Sequence, residues 1–259
     1  MTKIDDFSAE VLRNIESSAR DGDLLDLSNR WIQKIIPYNY AHNFSWLGRP
    51  ILQIPQDIYA VQELIWNLKP DLVIETGIAH GGSLILSASM LALLDYCDAV
   101  ERGEILNPLK SKRCVVGIDI EIRSHNRKAI EMHPMEHLIQ MIEGSSVAPD
   151  VVEQVQAIAK DFKKILVFLD SNHTHEHVLA ELKAYAPLTS VGSYCVVWDT
   201  GIEDLPENFV TNRPWGKGNN PKTAVHEYLN STDCFEIDNL MVHKLILTAS
   251  PDGFLRRIK

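Results

Sequence analysis

Cysteine is scarce and scattered in this 259-residue sequence. Cys97, Cys114, Cys195 and Cys234 stand far apart with no CxxC spacing, which excludes a disulfide scaffold and a thiolate metal cluster and suits buried thiols of a reducing compartment. Positive charge is also short. Lys and Arg number 25 against 35 Asp and Glu, a formal net charge of −10, so the chain repels phosphate backbones and no nucleic-acid partner is expected. No apolar run is read as approaching the roughly 20 residues of a bilayer span. The opening stretch, MTKIDDFSAEVLRNIE, has acids where a signal peptide needs basic and then apolar residues. The expectation is therefore a soluble cytoplasmic protein with no membrane partner. Repeats, low-complexity tracts and charge blocks are missing too, so no linker is marked. A composition 45% hydrophobic and 23% charged is that of an ordinary globular chain, long enough for a sizeable core.

What is present is an alternation of short apolar runs with longer amphipathic ones. Strands are predicted over 71–75, 113–119, 138–142, 164–170 and 193–199, with helices over 83–96, 149–160, 175–185 and 223–229 between and after them. Strands alternating with helices imply a parallel sheet covered on both faces, and the continuous apolar runs at 72–74 and 165–169 suit central strands of such a sheet. Two last strands are expected over 244–248 and 254–258, joined as an antiparallel hairpin by Ser250-Pro-Asp-Gly253. The first part differs. Helices are expected over 8–18 and 24–36, an irregular aromatic-rich stretch over 43–55, and a helix over 56–68 behind Pro55. Residues 1–55 therefore form a predicted helical cap on an α/β body of residues 56–259.

Ligands of an open α/β sheet bind outside the carboxyl ends of the strands. The first strand ends Glu75-Thr-Gly-Ile-Ala-His-Gly-Gly-Ser83, where Gly77, Gly81 and Gly82 let the backbone turn sharply and approach a ligand closely. The second ends in Asp119, placed to accept from two ribose hydroxyls. Its distance from the glycines exceeds the ~20 residues of dinucleotide-binding units, and the loop is not GxGxxG, so a dehydrogenase is disfavoured. Ser145 and Ser146, in Glu143-Gly-Ser-Ser146, suit the edge of a purine. The fourth strand ends in Asp170 and the fifth in Asp199-Thr200. Two acids on adjacent strand ends can share one hard cation. His173 lies three positions past Asp170, within reach of a bound hydroxyl's proton. The loop over 212–222 offers Trp215 to stack on a sugar ring and Asn219 and Asn220 to hydrogen-bond its hydroxyls, with His175 as a further acceptor contact.

The order Glu75-Thr-Gly77 with Gly81-Gly82-Ser83, then Asp119, Gly144-Ser145 and Asp170, resembles the successive cofactor stations of class I S-adenosylmethionine-dependent methyltransferases. More narrowly, Ile74 to Ser83, Phe168-Leu-Asp-Ser-Asn-His-Thr-His175 and Val197-Trp-Asp-Thr200 look like the cephalosporin hydroxylase family, which also contains rhamnosyl O-methyltransferases. The resemblance covers roughly 40–259. It implies a Rossmann-like, doubly wound, mostly parallel seven-stranded sheet with an antiparallel last strand. Glu75, Gly77, His80, Gly81, Gly82 and Ser83 would line the methionine part of the cofactor, Asp119 its ribose, and Ser145 with Ser146 its adenine. Asp170 and Asp199, with Thr200 beside them, would hold Mg2+, and His173 would act as general base where catechol-type enzymes use lysine. Thr200 departs from the asparagine of those enzymes, and Trp198 from the acidic residue of some family members.

The activity implied is methyl transfer from S-adenosylmethionine to a hydroxyl of a sugar or similar polyol, with a small-molecule or saccharide acceptor. Self-association into a homo-oligomer through the aromatic-rich cap is expected. Two competing readings are an iron-dependent oxygenase drawn from His173, His175 and Asp170, and a non-catalytic nucleotide-binding protein.

Overall fold

The computed structural model describes residues 3–207, 209 and 211–259. Seven strands form the main sheet: β3 (Leu72–Thr76), β4 (Cys114–Asp119), β5 (Ile139–Glu143), β6 (Ile165–Leu169), β7 (Tyr194–Val197), β8 (Phe235–Ile237) and β9 (Phe254–Arg257), ordered β5-β4-β3-β6-β7-β9-β8. The first five in chain order are parallel. Strand β9 runs antiparallel to both β7 and β8. The order reverses between β4 and β6, on either side of β3, which opens the crevice where such sheets bind ligands.

Every residue of β3 and β6 is buried, as the continuous apolar runs required. Because side chains alternate across a strand, Val73 joins one core layer while Leu72 and Ile74 join the other. The first layer lies under α3 (Pro55–Leu68) and α4 (Gly82–Arg102), which contribute Leu64, Ile65, Leu84 and Leu91. The second lies under α6 (Pro149–Ala159), α7 (His175–Tyr185) and α8 (Pro221–Asn230), through Val155, Leu182 and Val225. Fully burying one such aliphatic side chain contributes about 1.5–3 kcal/mol. A shorter helix α5 (Ser124–Glu131) follows β4, and α9 (Asn239–Leu245) separates the last two strands.

In the N-terminal part, α1 (Lys3–Ser18) and α2 (Gly22–Ile35) are helical as expected. The stretch expected to be irregular instead contains a small hairpin of β1 (Phe44–Trp46) and β2 (Arg49–Ile51), turned at Leu47-Gly48. This hairpin is fastened to the body. Trp46 Nε1 donates to Ser89 Oγ at 2.9 Å on α4, and a Cβ at Gly82 would fall 2.2 Å from the Pro50 carbonyl oxygen.

Two further expectations are corrected. Residues 244–248 are not a strand. Asp238 accepts from the backbone N–H groups of Leu240 and Met241 and starts the helix Asn239–Leu245, and β9 pairs antiparallel with β7 and β8 instead. The Pro251-Asp252 turn exists but leads from a loop into β9. Helix α4 runs on to Arg102 and stops at Gly103, in left-handed conformation at φ 65°. At 21 residues it is long and apolar enough to cross a membrane by length and composition, contrary to the expectation that no such run exists. Its fully buried Leu84, Leu91 and Leu94 pack it into the first core layer.

Candidate active site

Chain turns at the ends of β3 and β4 build one wall of the crevice. Gly77, at φ 80°, must be glycine because an added Cβ would lie 2.0 Å from the backbone oxygen of Asp170. The same crossing is tied by Asp170 N–H donating to Thr76 O at 2.9 Å. Asp119 Oδ2 accepts from the N–H groups of Ile78 (3.0 Å) and Ala79 (3.2 Å), and its Oδ1 from Glu121 N–H (3.2 Å). The carboxylate thus shapes the glycine loop as well as facing the ligand space.

Glu75 is buried on β3 and accepts from the hydroxyl of Ser83; burial pushes its carboxyl up to about 8, against that hydrogen bond. On the other side of the loop, the His80 carbonyl accepts from Arg49 Nε at 3.0 Å and Nη2 at 2.6 Å. A narrow gap runs between β2 and this loop, bounded by Gly77, His80, Gly82, Ser83 and Asp170.

Beyond β4 and β5 lies a pocket of about 240 Å3 that brings together Gly77, Asp119, Ser145, Ser146, His177 and Trp215. Ser146 and Ser171 hydroxyls meet His177 Nε2 at 3.1 and 3.0 Å, and Ser171 Oγ donates to the fully buried Glu181 at 2.7 Å. His177 had no assigned role in the sequence. Its signal is its place two residues past His175, in the first turn of α7, from which it reaches the loop after β5 at Ser146.

At the ends of β6 and β7, His173 stands between two acids. Its Nε2 lies 3.4 Å from Asp170 Oδ1 and its Nδ1 lies 3.3 Å from Asp199 Oδ2. One ligand atom from each of the three falls within 4.8 Å of the others. Withdrawal from water raises the Asp170 carboxyl to about 7. Burial would lower the His173 pKa, but the Asp199 and Asp170 carboxylates outweigh it and hold the imidazole up at about 9. Two carboxylates gathered around one retained proton are a site that demands positive charge. Oxygen donors of this kind fit a hard divalent cation such as Mg2+.

The indole of Trp215 packs on the His173 ring, centroids 5.0 Å apart, and the Arg213 guanidinium lies over the indole, 5.3 Å from its centroid. Trp215 therefore packs against His173 and also lines the pocket that contains Asp119 and Ser146. A second pocket, of about 280 Å3 and mostly apolar, adjoins Asp199 on the opposite side, walled by Ile32, Tyr40, His42, Ile202 and Leu205.

Four residues are placed differently from expectation. Thr200 is buried and donates its hydroxyl to the Pro251 carbonyl, so it faces away from the acid pair. His175 is engaged by Thr223 Oγ1 at 2.8 Å and Glu227 Oε2 at 3.0 Å on α8. Asn219 accepts from His175 N–H at 2.9 Å and donates to Pro214 O at 2.9 Å. Asn220 is fully buried and caps α8, accepting from Lys222 N–H and Thr223 N–H. His175 thus joins the start of α7 to α8, Asn219 ties it to the loop before α8, and Asn220 caps α8 itself. With His175 turned away, the two-histidine iron site of the oxygenase reading is not assembled.

The family model for rhamnosyl O-methyltransferase/CmcI matches residues 38–258. The chain is 32% identical over 226 residues to a rhamnosyl O-methyltransferase of Mycobacterium bovis (strain BCG / Pasteur 1173P2), covering 84% of this chain and 82% of that protein. It is 32% identical over 222 residues to the rhamnosyl O-methyltransferase of Mycobacterium leprae (strain TN), covering 85% and 86%. Among solved structures, apo CmcI aligns with a TM-score of 0.53 at 17% identity over 84% of this chain and 77% of that one. A CmcI structure with Mg and SAM aligns with a TM-score of 0.52 at 18% identity, over 84% and 78%. At such identities these structures establish the fold alone. The family match over most of the chain and the relatives' shared length settle the class: the chain belongs to the rhamnosyl O-methyltransferase/CmcI family and is an S-adenosylmethionine-dependent O-methyltransferase.

Proposed function

We propose that this enzyme methylates a hydroxyl of a sugar or glycoside, with Mg2+ held by Asp170 and Asp199 and the proton taken by His173. The observation that carries this reading is the Asp170–His173–Asp199 cluster at the β6 and β7 ends, beside the loop of Gly77. The names of the mycobacterial relatives supply the rhamnosyl acceptor as the nearest chemical model.

S-Adenosylmethionine would thread its methionine part past Glu75, Gly77, Gly82 and Ser83, lay its ribose on Asp119 and its purine against Ser145 and Ser146. Asp170 and Asp199 would hold Mg2+, whose positive charge would lower the acceptor hydroxyl's pKa. His173, 3.4 Å from Asp170 and 3.3 Å from Asp199, would be the group that accepts the hydroxyl proton. The acceptor oxygen then forms the bond to the methyl carbon, the carbon–sulfur pair returns to sulfur, and the proton passes to His173. Holding oxygen, carbon and sulfur in line supplies roughly 7–11 kcal/mol of the barrier reduction. An apolar portion of the acceptor fits the pocket walled by Ile32, Tyr40, Ile202 and Leu205 beside Asp199. Exposed Phe7, Leu27 and Tyr38 on the N-terminal segment favour self-association, which size-exclusion chromatography with light scattering reads directly.

The test is calorimetric titration with S-adenosylmethionine and S-adenosylhomocysteine, with and without Mg2+, followed by methyl transfer to rhamnosides. Micromolar cofactor binding and Mg2+-dependent methylation are expected. A chain that binds cofactor but methylates rhamnosides equally well with chelator present overturns the metal assignment.

A further inference from the structure

Asp57 sits in the first turn of α3, more than a hundred residues from the acids of the site, and is 1% exposed. No motif of the sequence points to it. Its two oxygens are both engaged by one distant segment: Oδ1 accepts from Thr248 Oγ1 at 2.6 Å and Oδ2 from Ala249 N–H at 3.0 Å. The chain of contacts continues. Thr248 Oγ1 accepts from Ser250 N–H at 3.0 Å, and the hydroxyl of fully buried Ser250 accepts from Asp199 N–H at 3.1 Å. The Ala249 carbonyl accepts from Gly201 N–H at 2.9 Å. The N–H groups of Asp199 and Gly201 are therefore held by Ser250 and Ala249, in a segment that Asp57 engages at Thr248 and Ala249.

Such a grip answers a local need. Asp199 adopts φ 57°, a left-handed conformation unfavourable by about 1–2 kcal/mol for a residue with a Cβ, and it persists only where its surroundings over-determine it. In that conformation the Asp199 carboxylate lies 3.3 Å from His173 Nδ1. The segment also has no slack. A Cβ at Gly201 would lie 3.0 Å from the Ala249 oxygen, and one at Gly253 would lie 2.1 Å from the Val197 oxygen. A shift of residues 248–250 must therefore pass to Asp199.

Burial raises the Asp57 carboxyl to about 7 despite both hydrogen bonds. A buried acid in that position works against stability unless its hydrogen bonds offset it. An apolar side chain would fill the same space at lower cost but could not hold the segment.

We propose that Asp57 is a positioning residue for the cation site, acting through Thr248 and Ser250 to fix the Asp199 carboxylate. The proposal rests on the reading of Asp170 and Asp199 as cation ligands. Residues that orient metal ligands typically change metal affinity by about 10–100-fold when replaced.

Mn2+ binding, followed by electron paramagnetic resonance on the full chain saturated with S-adenosylhomocysteine, tests it in wild type, Asp57→Asn, Asp57→Ala and Ser250→Ala. Melting temperature and S-adenosylhomocysteine affinity are measured alongside. The expected result is Mn2+ binding weakened about tenfold or more in Asp57→Ala and Ser250→Ala, with Asp57→Asn between them and wild type, and cofactor affinity within twofold of wild type throughout. Lower melting temperatures with unchanged Mn2+ affinity overturn the proposal and leave Asp57 a structural residue. Ser250→Ala removes a single hydroxyl, so it decides the matter should the Asp57 variants fail to fold. If wild type itself binds no Mn2+, the cation site fails and not merely its support.

Discussion

The two sides of the crevice are built by different means. On the β3–β4 side the backbone does most of the work: Gly77 lets two chains cross, and the N–H groups of Ile78 and Ala79 wrap around one carboxylate. On the β6–β7 side the working groups are side chains, and their placement depends on partners brought from α3, the 246–253 loop and the segment containing Trp215. The first side is a local design, determined within one loop and one strand end. The second is a tertiary one. Of the second side's groups, His173 lines neither the gap of Gly77 and Ser83 nor the pocket of Asp119, so its chemistry can be altered apart from the first side.

The sharpest way to break that separation is His173→Gln. It should lower kcat by about 10²–10⁴-fold, the usual contribution of a general base, while S-adenosylhomocysteine affinity stays as in wild type. A parallel loss of cofactor affinity would mean that the two sides are one site. Next in size, Asp119→Ala removes an ionised acceptor of loop N–H groups, and hydrogen bonds to charged groups contribute about 1.5–3 kcal/mol. Calorimetry should show cofactor binding weakened on the order of tenfold to a hundredfold, with Mn2+ affinity retained.

A smaller effect separates the two sides by pH. The folded-state pKa of Glu75 is raised to about 8 from an ordinary value near 4.3, so the native state holds this proton more tightly than the unfolded chain. Its stabilising share is full below about pH 4.3 and is lost as pH rises through about 8. Thermal unfolding of the metal-free protein should thus shift to lower temperature between pH 5 and 8, and Glu75→Gln should flatten part of that slope. An unchanged slope in the variant would remove Glu75 from the account. The smallest expected change is at Asn220→Ala, which loses a helix cap and should reduce stability by about 1 kcal/mol, with no change in acceptor KM. A raised KM with full stability would return Asn220 to the acceptor site.

The same division decides what could be read from the sequence. Strand ends, the glycine loop, Asp119 and the spacing of Asp170 and His173 are local patterns, and the structure places each of them around the crevice. Asn220 was legible and misread: Asn-Pro-Lys-Thr is an N-cap, a proline in first position and a reciprocating threonine, which places the helix start at 221 and not 223. Asp238 is a similar cap signal, overshadowed by the apolar run at 245–247 that resembled a strand. The short β8, three residues long, carries too few alternations to be recognised. Asp57 carries no local signal at all, since its significance lies entirely in partners almost two hundred positions away.

The crossing at Gly77 has one more consequence. Because that residue is pressed against the Asp170 backbone, the glycine loop and Asp170, in the donor and acceptor roles proposed for them, would behave as the two jaws of a fixed gauge. A gauge of set width cannot adapt to which hydroxyl of a polyol is offered. Under the proposed roles, regiochemistry would be decided by how the rest of the acceptor seats itself above the jaws, and changing the methylated position would call for recutting the apolar walls around Ile32 and Leu205.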